Sequence, residues 1–176
     1  MPDTVDQPGE IESLTLDTKY TATRGRVYIT GSQALARLPM MQRQRDVKAG
    51  LNTAGYVSGY RGSPLGGVDM ALWGASEFLA QENIKFEPGL NEDLAATAVW
   101  GSQQTDILGP ARVDGVFGMW YGKNPGLDRA ADDVAHQRAR APPRPPCLPP
   151  PPPRGRGGDS SGAWFVQGVR SSSRRI

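Results

Sequence analysis

From residue 25 onward the chain alternates short apolar runs of strand character with longer stretches of helical spacing. "RVYIT" (26–30) is β-branched and aromatic and predicts a first strand. In "GSQALARLPMMQRQRDVKAG" (31–50), Leu35, Leu38, Met41 and Val47 fall in rough helical register. Pro39 should break or restart that helix, because proline has no N–H to donate. "AGYVSGY" (54–60) predicts a second strand, ended by Gly62, Ser63 and Pro64. Ser63 as N-cap and Pro64 as first residue would open a helix through "LGGVDMALWGASEFLAQEN". "IKFEP" and "DGVFGMWYG" (114–122) predict a third and a fourth strand. Between them "GLNEDLAATAVWGSQQ" predicts a helix with Asn91 as N-cap and Glu92 and Asp93 in its first turn. Acids suit that position because the helix dipole is positive there. Alternation of this kind predicts an α/β fold, a doubly wound parallel sheet with helices on both faces.

The pattern stops near residue 135. The 41 residues from 136 onward include 30 that are Pro, Arg, Gly, Ser or Ala, and "PPRPPCLPPPPPR" offers almost nothing to bury. Such composition predicts polyproline II or disorder. The chain therefore divides into a lead-in (1–24), an α/β region (25–135) and a Pro/Arg-rich tail (136–176). The net charge of +2 divides in the same way. Residues 1–135 hold 12 Lys and Arg against 17 Asp and Glu, a net of −5, and the tail holds 8 Arg against Asp159 alone, a net of +7. The basic pI belongs to the tail, and it is not read as nucleic-acid binding. Cys147 is the single cysteine, so no disulfide or cysteine-held cluster can form within the chain. No apolar run approaches a membrane span, and "MPDTVDQPGEIESL" lacks the apolar core of a signal peptide, so a cytoplasmic location is expected.

Candidate chemistry lies in three loops that follow strand ends: "GYRGSPLGG", "PGLNED" and "WYGKNPGLDR". In open α/β sheets ligands bind beyond the carboxyl ends of the strands. The first loop offers glycines, Arg61 and a helix N-terminus suited to an anion. The nucleotide patterns G-x-x-x-x-G-K-[ST] and G-x-G-x-x-G after a strand are missing. His136, the single histidine, has no evident partner.

Residues from about 14 to 133 resemble the start of the long, fused bacterial indolepyruvate ferredoxin oxidoreductases. The likeness runs through "TLDTKYTATRGRVYITGSQALARLPMMQRQRDVKAGLNTAGYVSGYRGSPLGGVD", "FEPGLNEDLAATAVWGSQQ" and "DGVFGMWYGKNPGLDRAAD". That resemblance implies a thiamine-diphosphate pyrimidine domain, in which a Y-x-G-[ST]-P turn precedes a helix and a glutamate opens a small-residue helix. Glu92 matches the glutamate that hydrogen-bonds the aminopyrimidine ring and so promotes loss of the thiazolium C2 proton. Gly62 and Ser63 would lie at the cofactor, and Arg61, Ser63 and Pro64 near the substrate carboxylate. The family oxidatively decarboxylates aryl 2-oxoacids to acyl-CoA, with ferredoxin as electron acceptor, coenzyme A as acyl acceptor, and oligomeric assembly.

The family is far longer than this chain. Its Mg²⁺ and diphosphate are held by a second domain with a GDG-type segment, and its 4Fe-4S clusters by cysteine sets. None of these occurs here. The chain thus reads as an enzyme fragment, inactive alone, whose tail is out of frame from about residue 134. Two other readings stand beside it. One is a pyrimidine-domain subunit completed by a partner chain, and the other is an interaction protein using the polyproline run as a ligand.

Overall fold

A computed structural model describes residues 15–62, 65–104 and 110–131, and the backbone of 163–168. Three parallel strands form its centre: β1 (Thr53–Gly59), β2 (Ile84–Phe86) and β3 (Gly115–Gly122). β4 (Ala163–Gly168) adds to β3 in antiparallel sense, giving the order β2-β1-β3-β4. The expected parallel core is there, but the sheet is mixed. An antiparallel edge strand on a parallel sheet is a common arrangement. β4 lies in the stretch read as a tail, where no strand is predicted; the proline run, Cys147 and His136 lie outside the described residues.

The chain winds to both faces of this sheet. Between β1 and β2 run α3 (Gly66–Gly74) and α4 (Ser76–Gln81), and between β2 and β3 runs α5 (Glu92–Ser102). Successive strand side chains point to opposite faces. Phe117, Met119 and Tyr121 therefore enter the larger core with Val57, Met40 and Leu72. Trp120 enters the smaller one with Ala95, Ala96, Val99 and Ala130. The three-stranded parallel sheet flanked by helices is compatible with a Rossmann-like fold.

The expected strand at 26–30 is not formed. Those residues approach α2 (Gly31–Lys48) without a strand partner, and Tyr28 is fully exposed. Val27 and Ile29 are half-buried, but among the described residues no strand lies alongside to pair with this backbone, and strand propensity without that context does not make a strand. Thr30 instead caps α2: its side chain accepts from the Gln33 N–H, and the Gln33 side chain accepts from the Thr30 N–H. That reciprocal box is a strong helix start. α2 then continues through Pro39 without a break, and Pro39 is buried. Its inward face is Ala36, Pro39 and Met40, while Met41 and Val47 are exposed. The lead-in is anchored too. Tyr20 of α1 (Thr18–Thr21) is buried against the larger core, and Arg37 of α2 donates to the Lys19 and Ala22 carbonyls.

Candidate functional site

Parallel strands deliver their carboxyl ends, Gly59, Phe86 and Gly122, to one edge of the sheet. The connections from β1 to β2 and from β2 to β3 pass on opposite faces, so a crevice is expected where the winding reverses. Three loops leave this edge: 60–62 after β1, 87–91 after β2, and Lys123 leading into α6 (Asn124–Arg129) after β3. The loops are tied together. The Tyr60 N–H donates to the Tyr121 carbonyl (3.3 Å), and the Gly89 N–H donates to the Gly59 carbonyl (2.9 Å).

Glu92 is the first residue of α5. Asn91 is extended and its Oδ1 accepts from the Leu94 N–H at 2.8 Å, which makes it the expected N-cap. Capping fixes the backbone direction of Glu92 and turns its side chain inward, where the residue is only 4% exposed. The Trp120 indole N–H donates to the Glu92 carbonyl oxygen at 3.2 Å and pins the helix start to β3. The side chain lies flat on α6. A Cβ at Gly126 would run into its Cβ, Cγ and Cδ, so only glycine allows this approach. Arg129, one turn further along α6, donates from Nη2 to Glu92 Oε2 at 3.4 Å, and its Nε lies 3.8 Å from Asp93 Oδ1. Its own side chain is 61% exposed. Asp93 faces solvent more than Glu92 does, as a plain first-turn acid would.

Arg61 is exposed at the end of β1, beside Gly62. Among the described residues no ion pair or hydrogen bond joins its guanidinium to Glu92, whose cationic partner is Arg129. Ser63 and Pro64 lie outside the described residues. α3 begins at Gly66, with Leu65 in the cap position and no side-chain cap, so the helix starts later than a Ser63 cap would set it.

Two residues belong to this edge that sequence reasoning passed over. One is Arg129, whose position on α6 makes it the partner of both acids. The other is Asp69 of α3, 2% exposed, whose Oδ1 accepts from the Tyr121 hydroxyl at 2.6 Å. Burial and the neighbouring carboxylate push the Tyr121 phenol far above its ordinary value. The signal in the sequence is an acid inside the apolar run "VDMALW".

Comparison of the chain with protein-family models, with curated proteins and with solved structures finds no match.

Proposed function

We propose that this chain supplies the aminopyrimidine-binding half of a thiamine-diphosphate-dependent 2-oxoacid:ferredoxin oxidoreductase of the indolepyruvate type. The observation that carries the reading is the buried Glu92 carboxylate at the start of α5, beyond the carboxyl ends of the parallel strands. The residues present fit one half of the cofactor. Glu92 offers a carboxylate acceptor in a site largely closed to water, which strengthens a charge-assisted hydrogen bond. On this reading the diphosphate and Mg²⁺ side belongs to another domain or chain, as the resemblance implies. When bound, thiamine diphosphate supplies the carbanion chemistry of 2-oxoacid decarboxylation. Glu92 would hold the proton at the pyrimidine ring nitrogen, and the exposed Arg129 would have to yield the Oε2 contact. Gly62 would lie at the cofactor and Arg61 near the substrate carboxylate. Ferredoxin, coenzyme A and the iron–sulfur clusters belong to the complete enzyme on this reading.

The test uses the chain itself with 4-amino-5-hydroxymethyl-2-methylpyrimidine as probe, read by saturation-transfer NMR. Binding should be weak, lost by about tenfold in Glu92→Gln as a charge-assisted bond becomes a neutral one, and unchanged in Asp93→Asn. No transfer in the wild type, or equal transfer in Glu92→Gln, would overturn the assignment and leave Glu92 as a helix-opening acid paired with Arg129.

A further inference from the structure

β2 is three residues long and, among the described residues, pairs with β1 alone. The Gly55 N–H donates to the Asn83 carbonyl, and the Glu87 N–H donates to the Val57 carbonyl. Backbone groups alternate sides along a strand. The Asn83 C=O, both Lys85 backbone groups and the Glu87 N–H therefore face β1, while Ile84 and Phe86 direct theirs to the outer edge. An open edge is a template for another strand, and charged side chains usually guard it. Here the guards are Lys85 and Glu87, both exposed and bridged to each other at 2.7 Å.

Their order matters. Consider a second copy of β2 laid antiparallel against the first, with Phe86 opposite Phe86. Lys85 of each copy then stands opposite Glu87 of the other, on the sheet face where Glu87 also meets the Tyr56 hydroxyl. The reciprocal Phe86 pair and the Ile84 N–H groups donating to the Pro88 carbonyls would close the ladder. Pro88, with no N–H, ends it. A register centred on Lys85 instead sets lysine against lysine, which is unfavourable. On the other face, Phe86 carries Trp73 edge-on at 5.2 Å, and Trp73 and Met70 of α3 are 51% and 72% exposed. The two-fold would gather these apolar groups from both copies beside the seam.

We infer that the β2 edge is a self-complementary docking surface, and that its occupant is a second copy of this chain, joined antiparallel about Phe86 into one continuous sheet. This inference stands apart from the proposed function.

Sedimentation velocity of the full chain over a concentration series tests it. The wild type should show a monomer–dimer equilibrium. Lys85→Glu and Glu87→Lys each turn both cross-strand pairs into like-charge pairs, and each should weaken self-association by about tenfold or more. Mixing the two variants in equal amounts should restore association, because each then meets its opposite charge. Both positions are exposed, and circular dichroism checks that the variants fold. A wild type that stays monomeric, a dimer indifferent to either variant, or a mixture no tighter than its components would overturn the inference.

Discussion

Asp69 and Glu92 lie on opposite faces of the same sheet near the same edge, and both are nearly inaccessible to water. Their partners differ. Asp69 accepts from Tyr121, a fully buried phenol on β3, an interior strand of the sheet. Glu92 is met by Arg129, a mostly exposed guanidinium on a six-residue helix. A buried donor on a paired strand cannot leave without opening the sheet, whereas a solvated arginine can swing out at small cost. The same residue class is thus enclosed on one face and openable on the other. That difference is why Glu92, and not Asp69, is the carboxylate proposed to meet a ligand.

The glycines packed against Tyr121 on one face and against Glu92 on the other give the largest expected effect. A Cβ at Gly59 would strike the Tyr121 carbonyl and ring root, neither of which can yield while β1 and β3 stay paired. Gly59→Ala should cost about 3 kcal/mol, the upper part of the range for overpacking, as read by urea denaturation. At Gly126 the obstacle is Glu92 from Cβ to Cδ, and since Cβ moves only with the α5 backbone the short helix α6 must shift, while alanine brings back about 1 kcal/mol of helix propensity. Gly126→Ala should therefore cost clearly less and displace Glu92. Equal costs at the two sites would erase the distinction between a fixed and a movable acid.

Tyr121→Phe comes next. It keeps the ring and removes the donor, leaving the Asp69 carboxylate buried without it, for about 1–3 kcal/mol. The pH dependence carries a sign. The Tyr121 phenol is held above its ordinary 10.0 by desolvation first and by Asp69 second. A raised value in the fold means the contribution is whole below pH 10. It falls at higher pH, as the unfolded chain gives up the proton and the folded chain keeps it. Wild-type stability should decline above about pH 10, and Tyr121→Phe should flatten that decline. Parallel alkaline profiles for the two proteins would show that Tyr121 is not the group involved.

Much of this edge was legible in the sequence, and for physical reasons. Asn91 and the two acids after it are a local signal, read correctly because capping depends on near neighbours alone. β1, β2 and β3 followed from runs bounded by Gly, Pro and Asn. What was missed depended on distant partners. Residues 26–30 have strand composition but, among the described residues, no strand to pair with, and Pro39 sits in a helix held by packing at Ala36 and Met40. Asp69 and Tyr121 are 52 positions apart. Nothing local marks either as the other's partner, and the same holds for Arg129 and Glu92.

The smallest expected effect falls on Arg129→Ala, and it cuts closest to the comparison. Removing one member of a sealed ion pair costs about 3–5 kcal/mol, because the remaining charge is stranded. A pair with one exposed member is worth about 0–1 kcal/mol. The contact to Glu92 is long at 3.4 Å, and the approach to Asp93 Oδ1 is longer still at 3.8 Å. Both acids also keep the N-terminal dipole of α5 when the arginine is gone. Arg129→Ala should therefore shift stability by less than about 1 kcal/mol. It should also raise the saturation-transfer signal of the pyrimidine probe, since the competing donor has left Oε2. A loss of about 3 kcal/mol with no gain in probe binding would mean that Arg129 locks Glu92 as firmly as Tyr121 holds Asp69.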